Sequence, residues 1–216
     1  MRPQDRMVQV IEEEARLTAG RTGRARLDAR VLDAMRRVPR DAFVPADMAH
    51  HAWDNSPLPI GEGQTISQPY IVALMTDLLD PEPGDRVLEV GTGCGYQAAV
   101  LAEVVGEVWS IEFLRGLGEA ARERLERLGY ANVHLRIGNG REGWPEAAPF
   151  DGILVTAGAR DVPPALVEQL APGGRLVIPV GAGRMGQELR VVTKDADGNV
   201  DEHGVLPVAF VPLTGA

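Results

Sequence analysis

The first eighty residues carry apolar positions at helical spacing on either side of a polar, glycine-rich stretch. Apolar residues recur every three to four positions over roughly residues 25–38 and stop before Pro39, which predicts an amphipathic helix. Similar patterns predict an earlier helix around Met7 to Leu17 and a later one over Gln68 to Leu79. Residues 41–64 contain several prolines and glycines, which indicate an extended, loop-rich connection.

After residue 86, short apolar runs alternate with helical patterns. The predicted strands are 87–90, 108–111, 133–137, 152–155 and 175–180, and the predicted helices between them are about 95–105, 114–128 and 164–170. This alternation predicts an α/β fold with a mainly parallel twisted sheet and helices on both faces. Two last apolar runs, 188–193 and 205–211, flank a turn-rich segment and predict an antiparallel hairpin at the C-terminal end.

Composition adds limits to this picture. The 216 residues, 44% hydrophobic and 25% charged, fit a single globular domain, and no apolar run approaches the roughly 18 residues of a membrane span. A net charge of -9 argues against a nucleic-acid partner, which would require clustered cations. Cys94 is the only cysteine, and Glu12, Glu13 and Glu14 interrupt any export-signal pattern, so we expect a cytoplasmic protein.

The clearest chemical signal is the glycine turn, residues 91–95, with sequence G-T-G-C-G directly after the predicted strand 87–90. Glycines accept positive φ and leave the backbone bare for a ligand. A dinucleotide fingerprint would need a glycine at position 96, where this chain has Tyr96, so S-adenosylmethionine is favoured over NAD. Glycine turns also occur in α/β proteins that bind no ligand, and that alternative stays open.

Two polar residues follow the next two strands at the same predicted sheet edge. Glu112 lies about twenty residues beyond the glycine turn, where a carboxylate can accept hydrogen bonds from both ribose hydroxyls of an adenosine. The alternative is an acid at a helix start, favoured there by the helix dipole. Asn139, in the segment Gly138-Asn139-Gly140, could contact an adenine edge or simply form a turn.

A second polar cluster, G-E-G-Q-T-I-S-Q-P-Y, spans residues 61–70. Its hydroxyls and amides can bind a carboxylate, although Thr65 or Ser67 could merely cap the following helix. The histidines at 50, 51, 134 and 203 fit no nucleophile motif, and Cys94 is better explained as a small residue filling the turn than as a nucleophile.

These segments resemble those of protein-L-isoaspartate O-methyltransferases, the protein-repair carboxyl methyltransferases. The resemblance covers most of the chain. It rests on residues 38–45 (V-P-R-D-A-F-V-P), 58–61, 63–70, 88–96, 148–151 (A-P-F-D), 172–176 and 210–214 (F-V-P-L-T). The G-Q-T-I-S-Q-P segment is characteristic of this family, whereas the glycine turn occurs in many methyltransferases.

The resemblance implies a Rossmann-like, S-adenosylmethionine-dependent methyltransferase domain over residues 1–216, in which residues 1–80 form a helical and substrate-loop segment. Its acceptor would be the free α-carboxylate of an L-isoaspartyl residue in a damaged protein or peptide. The methyl ester would then collapse to a succinimide, and hydrolysis would restore some normal aspartate. The implied by-product is S-adenosyl-L-homocysteine, with no metal, and the chain is expected to act as a monomer.

The resemblance also assigns roles to residues. Ser67 would position the acceptor carboxylate as the active-site hydroxyl, with Thr65 as a second catalytic residue beside it. The implied cofactor-binding residues are Ile66, Glu89, Gly91, Thr92, Gly93, Glu112, Asn139, Gly140, Arg141 and Thr214.

Two residues depart from the family pattern. Asn139 stands where the family usually has aspartate, which puts cofactor affinity in question, and Cys94 replaces a usual serine. Two rival functions stay open: a methyltransferase of the same fold that acts on a small acid or one dedicated peptide, and a non-catalytic module that recognises damaged proteins.

Overall fold

A mixed sheet forms the centre of the computed structural model, which describes residues 1–183 and 186–215. Within those residues the sheet has seven strands in the order β5-β4-β3-β6-β7-β8-β9. Their bounds are β3 Arg86–Val90, β4 Glu107–Glu112, β5 Val133–Ile137, β6 Phe150–Val155, β7 Leu170–Val180, β8 Gln187–Lys194 and β9 Val200–Val208. Strands β3 to β7 are parallel, and β8 and β9 are antiparallel. The predicted sheet and C-terminal hairpin are therefore confirmed.

Helices cover both faces of this sheet. They are α1 Pro3–Thr22, α2 Ala29–Arg37, α3 Pro69–Leu79, α4 Tyr96–Ala102, α5 Arg115–Arg127 and α6 Pro164–Gln169. Val87 and Leu88 are neighbours in β3, yet they belong to two different buried clusters because successive strand side chains point to opposite faces. The cluster of Val87 includes residues of α1 to α5, and the cluster of Leu88 includes Leu166 of α6.

The connection predicted as an extended loop over residues 41–64 is more ordered than expected. Two short 3-10 helices, Arg40–Phe43 and Ala46–His51, precede a hairpin of strands β1 Leu58–Gly61 and β2 Gln64–Ile66. The hairpin turns at Glu62 and Gly63, which both have positive φ. Strands of four and three residues are too short to show a clear alternation, so the sequence pattern did not reveal this hairpin.

Three segments differ from the sequence prediction in their bounds. Helix α4 ends at Ala102, three residues before its predicted end. The predicted turn at residues 172–174 is an irregularity inside β7, where the pairing shifts between Phe150 and Gly152 of β6. Strand β9 begins at Val200 rather than 205 and ends at Val208 rather than 211. The residues after it return to the central sheet, since Leu213 N donates to the Gly158 carbonyl at 2.8 Å.

Candidate active site

One cavity lies at the carboxyl ends of β3, β4 and β6, bordered also by β2 and the C-terminal segment. This edge is where open α/β sheets bind ligands. Most of the expected site residues line the cavity, namely Thr65, Ile66, Ser67, Gly91, Thr92, Gly93, Glu112, Gly140 and Thr214. Glu89, Asn139 and Arg141 lie outside its wall.

The glycine turn forms the floor between β3 and α4. Gly91 and Gly93 have φ of 98° and 56°, a region that disfavours other L-residues. A Cβ on Gly93 would lie 3.3 Å from Ile60 Cδ1, so the β1–β2 hairpin closes tightly over the turn. The bare backbone predicted from the sequence is therefore present, and a side chain at Gly93 would obstruct it.

Glu112 is held in place by two backbone donors. Its Oε2 accepts a hydrogen bond from Gly93 N at 2.7 Å, and its Oε1 accepts one from Leu114 N at 2.9 Å. An ionised carboxylate can accept about four hydrogen bonds, so each oxygen can still accept one from a ligand hydroxyl group. The adjacent wall is apolar, with Ile111, Phe113 and Leu213. A carboxylate beside an apolar surface fits a ribose joined to a base.

Glu89 supports the turn from below instead of facing the cavity. Its side chain is fully buried, and Ser110 Oγ donates to its Oε2 while also bonding Thr92 Oγ1. Burial raises the pKa of Glu89 to about 8, and the nearby Glu112 contributes in the same direction. Glu89 is thus linked to the cavity wall by hydrogen bonds through Ser110 to Thr92.

Asn139 caps the 3-10 helix Gly140–Glu142. Its Oδ1 accepts from Arg141 N at 3.1 Å, and its Nδ2 donates to Glu142 Oε1 at 2.9 Å and to the Gly215 carbonyl at 3.1 Å. Arg141 in turn forms an ion pair with Asp161 at 2.9 Å. Both side chains therefore hold Gly140, which does line the cavity, in position against the C-terminal segment.

The hydroxyls of Thr65 and Ser67 are not helix caps. Helix α3 has Gln68 as its N-cap and no side-chain capping bond, which removes that alternative for both residues. Gln68 donates to Glu14 of α1, and Arg40 donates to the Ser67 carbonyl at 2.8 Å. The segment is thus anchored on both sides, with the two hydroxyl-bearing residues on the cavity wall.

Several wall residues have no place in the sequence prediction. Thr156 follows β6 directly, and its Oγ1 donates to the Gly91 carbonyl at 2.5 Å, so it fixes the glycine turn. The same strand-end argument that selected Glu112 could have found it. Val211 to Leu213 lie in the segment 210–214 that carried the family resemblance, but only Thr214 was expected at the site. Their place in the wall depends on the chain returning after β9.

Comparison with known proteins agrees with this geometry. The model of the family described as "Protein-L-isoaspartate(D-aspartate) O-methyltransferase (PCMT)" matches residues 12–216. The chain belongs to this family. It is 59% identical over 210 residues to protein-L-isoaspartate O-methyltransferase 2 of Syntrophobacter fumaroxidans, covering 97% of this chain and 85% of that protein. The corresponding protein of Polaromonas sp. strain JS666 is 57% identical over 209 residues, with 97% and 99% covered.

Solved structures of the family share the whole fold. A protein-L-isoaspartate O-methyltransferase superposes with a TM-score of 0.84 at 29% identity, covering 98% of this chain and 66% of that longer chain. A family member from Plasmodium falciparum, solved in complex with S-adenosyl-L-homocysteine, has a TM-score of 0.76 at 26% identity, with 95% and 97% covered. The Rossmann-like methyltransferase fold expected from the sequence is confirmed.

Two further properties of the described residues bear on the chemistry. No group of three or more His, Cys, Asp or Glu side chains in residues 1–183 and 186–215 is arranged to hold a metal ion. None of the helices in this part of the chain has the length and apolar character needed to cross a membrane.

Proposed function

We propose that this family member transfers the methyl group of S-adenosylmethionine to the free α-carboxylate of L-isoaspartyl residues in damaged proteins and peptides, which starts their repair through a succinimide. One observation carries the proposal: the same cavity is lined by the fixed Glu112 carboxylate and by the hydroxyl-bearing residues Thr65 and Ser67. Such a cavity suits a nucleoside and an anionic acceptor side by side.

The residues present fit the cofactor. Glu112 would accept hydrogen bonds from the ribose hydroxyls of S-adenosylmethionine. The backbone of Gly91, Thr92 and Gly93 would contact the rest of the cofactor. Ile66, Gly140 and Thr214 would complete the wall, with Glu89, Asn139 and Arg141 acting behind it. When bound, S-adenosylmethionine supplies a methyl group on a positively charged sulfur.

For methyl transfer, the acceptor carboxylate must be oriented towards the methyl group, but it does not need to be activated by a base. A carboxylate with a pKa near ~4 is already ionised at neutral pH, so no general base is required. Ser67 and Thr65 would donate hydrogen bonds to the acceptor carboxylate and hold one oxygen towards the methyl group. Correct alignment of two reactants can account for much of a rate enhancement.

The domain organisation belongs to the same proposal. Residues 1–216 form one methyltransferase domain in which residues 1–80 supply the acceptor side. The shared buried cluster of α1, α2 and α3 with α4 and the sheet supports this arrangement. We also propose that the protein acts as a monomer in the cytoplasm, without nucleic acid, which is supported by its single cysteine and its charge of -9.

The test is methyl transfer from labelled S-adenosylmethionine to a short peptide containing one isoaspartate, beside the same peptide with normal aspartate. Transfer to the isoaspartyl form alone is the expected result. A panel of isoaspartyl peptides of unrelated sequence excludes a dedicated substrate, since a repair enzyme must accept many flanking residues. If the cofactor binds and no peptide is methylated, the repair function is wrong and small acids become the substrates to screen.

A further inference from the structure

Arg40 is a fully buried arginine next to the acceptor side of the cavity. It has 0% exposure and lies in the 3-10 helix Arg40–Phe43. An arginine stays protonated in proteins, so a full positive charge is enclosed here. Enclosed charges are normally paired with an opposite charge, because transfer out of water is costly.

The groups that Arg40 faces are all neutral: three carbonyl oxygens and the Tyr96 hydroxyl, whose pKa burial raises to about 12. Nε donates to Ala52 O at 2.8 Å, and Nη2 donates to Ser67 O at 2.8 Å and to Ser56 O at 3.5 Å. Its guanidinium carbon lies 4.7 Å from the centroid of the Tyr96 ring, the residue directly after the glycine turn. The side chain therefore joins the Ser67 segment, the preceding loop and the start of α4.

The charge of Arg40 has no carboxylate partner. Within residues 1–183 and 186–215 it forms no ion pair, and Nη1 has no hydrogen-bond partner. This is unusual in a chain with 31 acidic residues, where half-buried arginines such as Arg24, Arg136 and Arg141 pair with a carboxylate. Because no carboxylate neutralises it, the positive charge of Arg40 can act on a group that binds beside Ser67.

We propose that Arg40 is a positioning residue for the acceptor: it fixes Ser67 through the Ser67 carbonyl, and its unpaired charge favours a carboxylate over a neutral group in the acceptor site. The inference rests on the proposed function and adds the residue that selects the acceptor's charge. At an effective dielectric constant of about 20, a unit charge within ~10 Å of an anion changes the binding of that anion by about tenfold or more.

The charge of Arg40 should also distinguish the substrate from the product of the reaction. The acceptor enters as an anion and leaves as a neutral methyl ester. A positive field beside Ser67 therefore favours the substrate over the product, and it acts mainly on substrate binding. We expect loss of the charge to raise KM more than it lowers kcat, whereas loss of the Ser67 contact lowers kcat.

The experiment compares Arg40→Met and Arg40→Lys with the wild type and with Arg37→Met. Arg37 is a matched control, because it is half-exposed, paired with Glu103 at 2.6 Å and remote from the cavity wall. Each protein is assayed with an isoaspartyl peptide as substrate and with the same peptide bearing an α-carboxamide as competitive inhibitor. Affinity for S-adenosylhomocysteine is measured separately by calorimetry.

For Arg40→Met we expect kcat/KM to fall ten- to a hundredfold and the preference for carboxylate over carboxamide to shrink about tenfold, with cofactor affinity within about twofold of wild type. Arg40→Lys keeps the charge and should retain the preference while kcat falls. An unchanged preference in Arg40→Met, or cofactor affinity that drops as far as kcat/KM, overturns the proposal.

If Arg40→Met does not fold, the carboxylate preference and kcat of Arg40→Lys alone test the proposal. A wild-type preference with reduced kcat supports the proposal, and a lost preference or wild-type kinetics contradicts it. Failure of the repair function is recognised separately, because the wild type would then methylate no isoaspartyl peptide at all.

Discussion

Single residues determine how tightly the cavity can hold a nucleoside, and Glu112 is the most constrained of them. Both of its oxygens are oriented by backbone N–H groups of the segments on either side of it, Gly93 and Leu114. Its orientation is therefore set before any ligand arrives, which reduces the ordering that binding requires.

Glu112→Gln should weaken binding of S-adenosylmethionine by about ten- to a hundredfold, because an amide replaces a charged acceptor and turns its NH2 towards one of the two backbone donors. Calorimetric titration with S-adenosylhomocysteine measures the change. The matched control is Glu119→Gln, an exposed glutamate on α5 paired with Arg115. Equal affinities in wild type and Glu112→Gln would contradict the ribose-binding role.

Ser67→Ala should leave cofactor affinity intact and lower turnover by roughly ten- to a thousandfold, as expected when one orienting hydrogen bond is lost. Steady-state kinetics with an isoaspartyl peptide, together with calorimetry, separates the two effects. Loss of cofactor affinity in parallel with turnover would exclude an acceptor-positioning role.

The residues whose place on the cavity wall could be predicted from the sequence are those that directly follow a predicted strand. Glu112 and the glycine turn come directly after apolar runs, and parallel strands end at one edge. The burial of Arg40 was not predicted, because the sequence around an arginine in a proline-rich stretch does not indicate that its side chain is enclosed. The position of Glu89 behind the turn was equally hidden, since it depends on Ser110 of the neighbouring strand.

At the scale of elements, close approaches between helices and strands hold the site together. Helices and long strands could be predicted from periodicity, whereas the β1–β2 hairpin and the start of β9 could not, because their residues lack an alternating pattern. Helix α5 shows one such approach: a Cβ on Gly118 would collide with Ile137 and lie 3.2 Å from Glu112 Cβ.

Gly118→Ala should lower the free energy of unfolding by about 1–3 kcal/mol, because the added methyl group displaces the Ile137 side chain and crowds Glu112 Cβ. This cost outweighs the helix-propensity gain of about 1 kcal/mol. The substitution should also weaken cofactor binding through the shifted Glu112. The control is Gly20→Ala in α1, where a Cβ meets nothing within 4 Å and helix propensity predicts a gain of up to about 1 kcal/mol. Urea denaturation measures both, and equal effects would contradict the packing argument.

At the scale of the whole molecule, the proposed acceptor side and the proposed cofactor side are built on one core. Met7 and Met35 of the N-terminal helices belong to the same buried cluster as Tyr96 of α4 and Leu189 of β8. The Ser67 segment is connected to this core through α3 and Arg40. A change that strains the sheet below the glycine turn is therefore expected to lower the stability of the entire chain. For the same reason, ionisation of the buried Glu89 should change the free energy of unfolding of the whole protein and not only the local structure around the turn.

Glu89 should make the folded state less stable as pH rises. Burial raises its pKa from 4.5 to about 8, so the folded protein keeps a proton that the unfolded chain releases. The free energy of unfolding should fall between about pH 4.5 and 8 and level off above that range, by a few kcal/mol in total. Glu89→Gln, which is neutral at every pH, should remove this slope and be relatively more stable than wild type at pH 8.

The measurement is urea denaturation at several pH values for wild type, Glu89→Gln and Glu107→Gln. Glu107 is a half-exposed glutamate on β4 and should change the slope little. Because other groups titrate in both proteins, the informative quantity is the difference between wild type and Glu89→Gln at each pH. A difference that stays constant from pH 5 to 8 would mean that Glu89 is ionised in the folded protein, with Ser110 and the start of α4 stabilising its charge against burial.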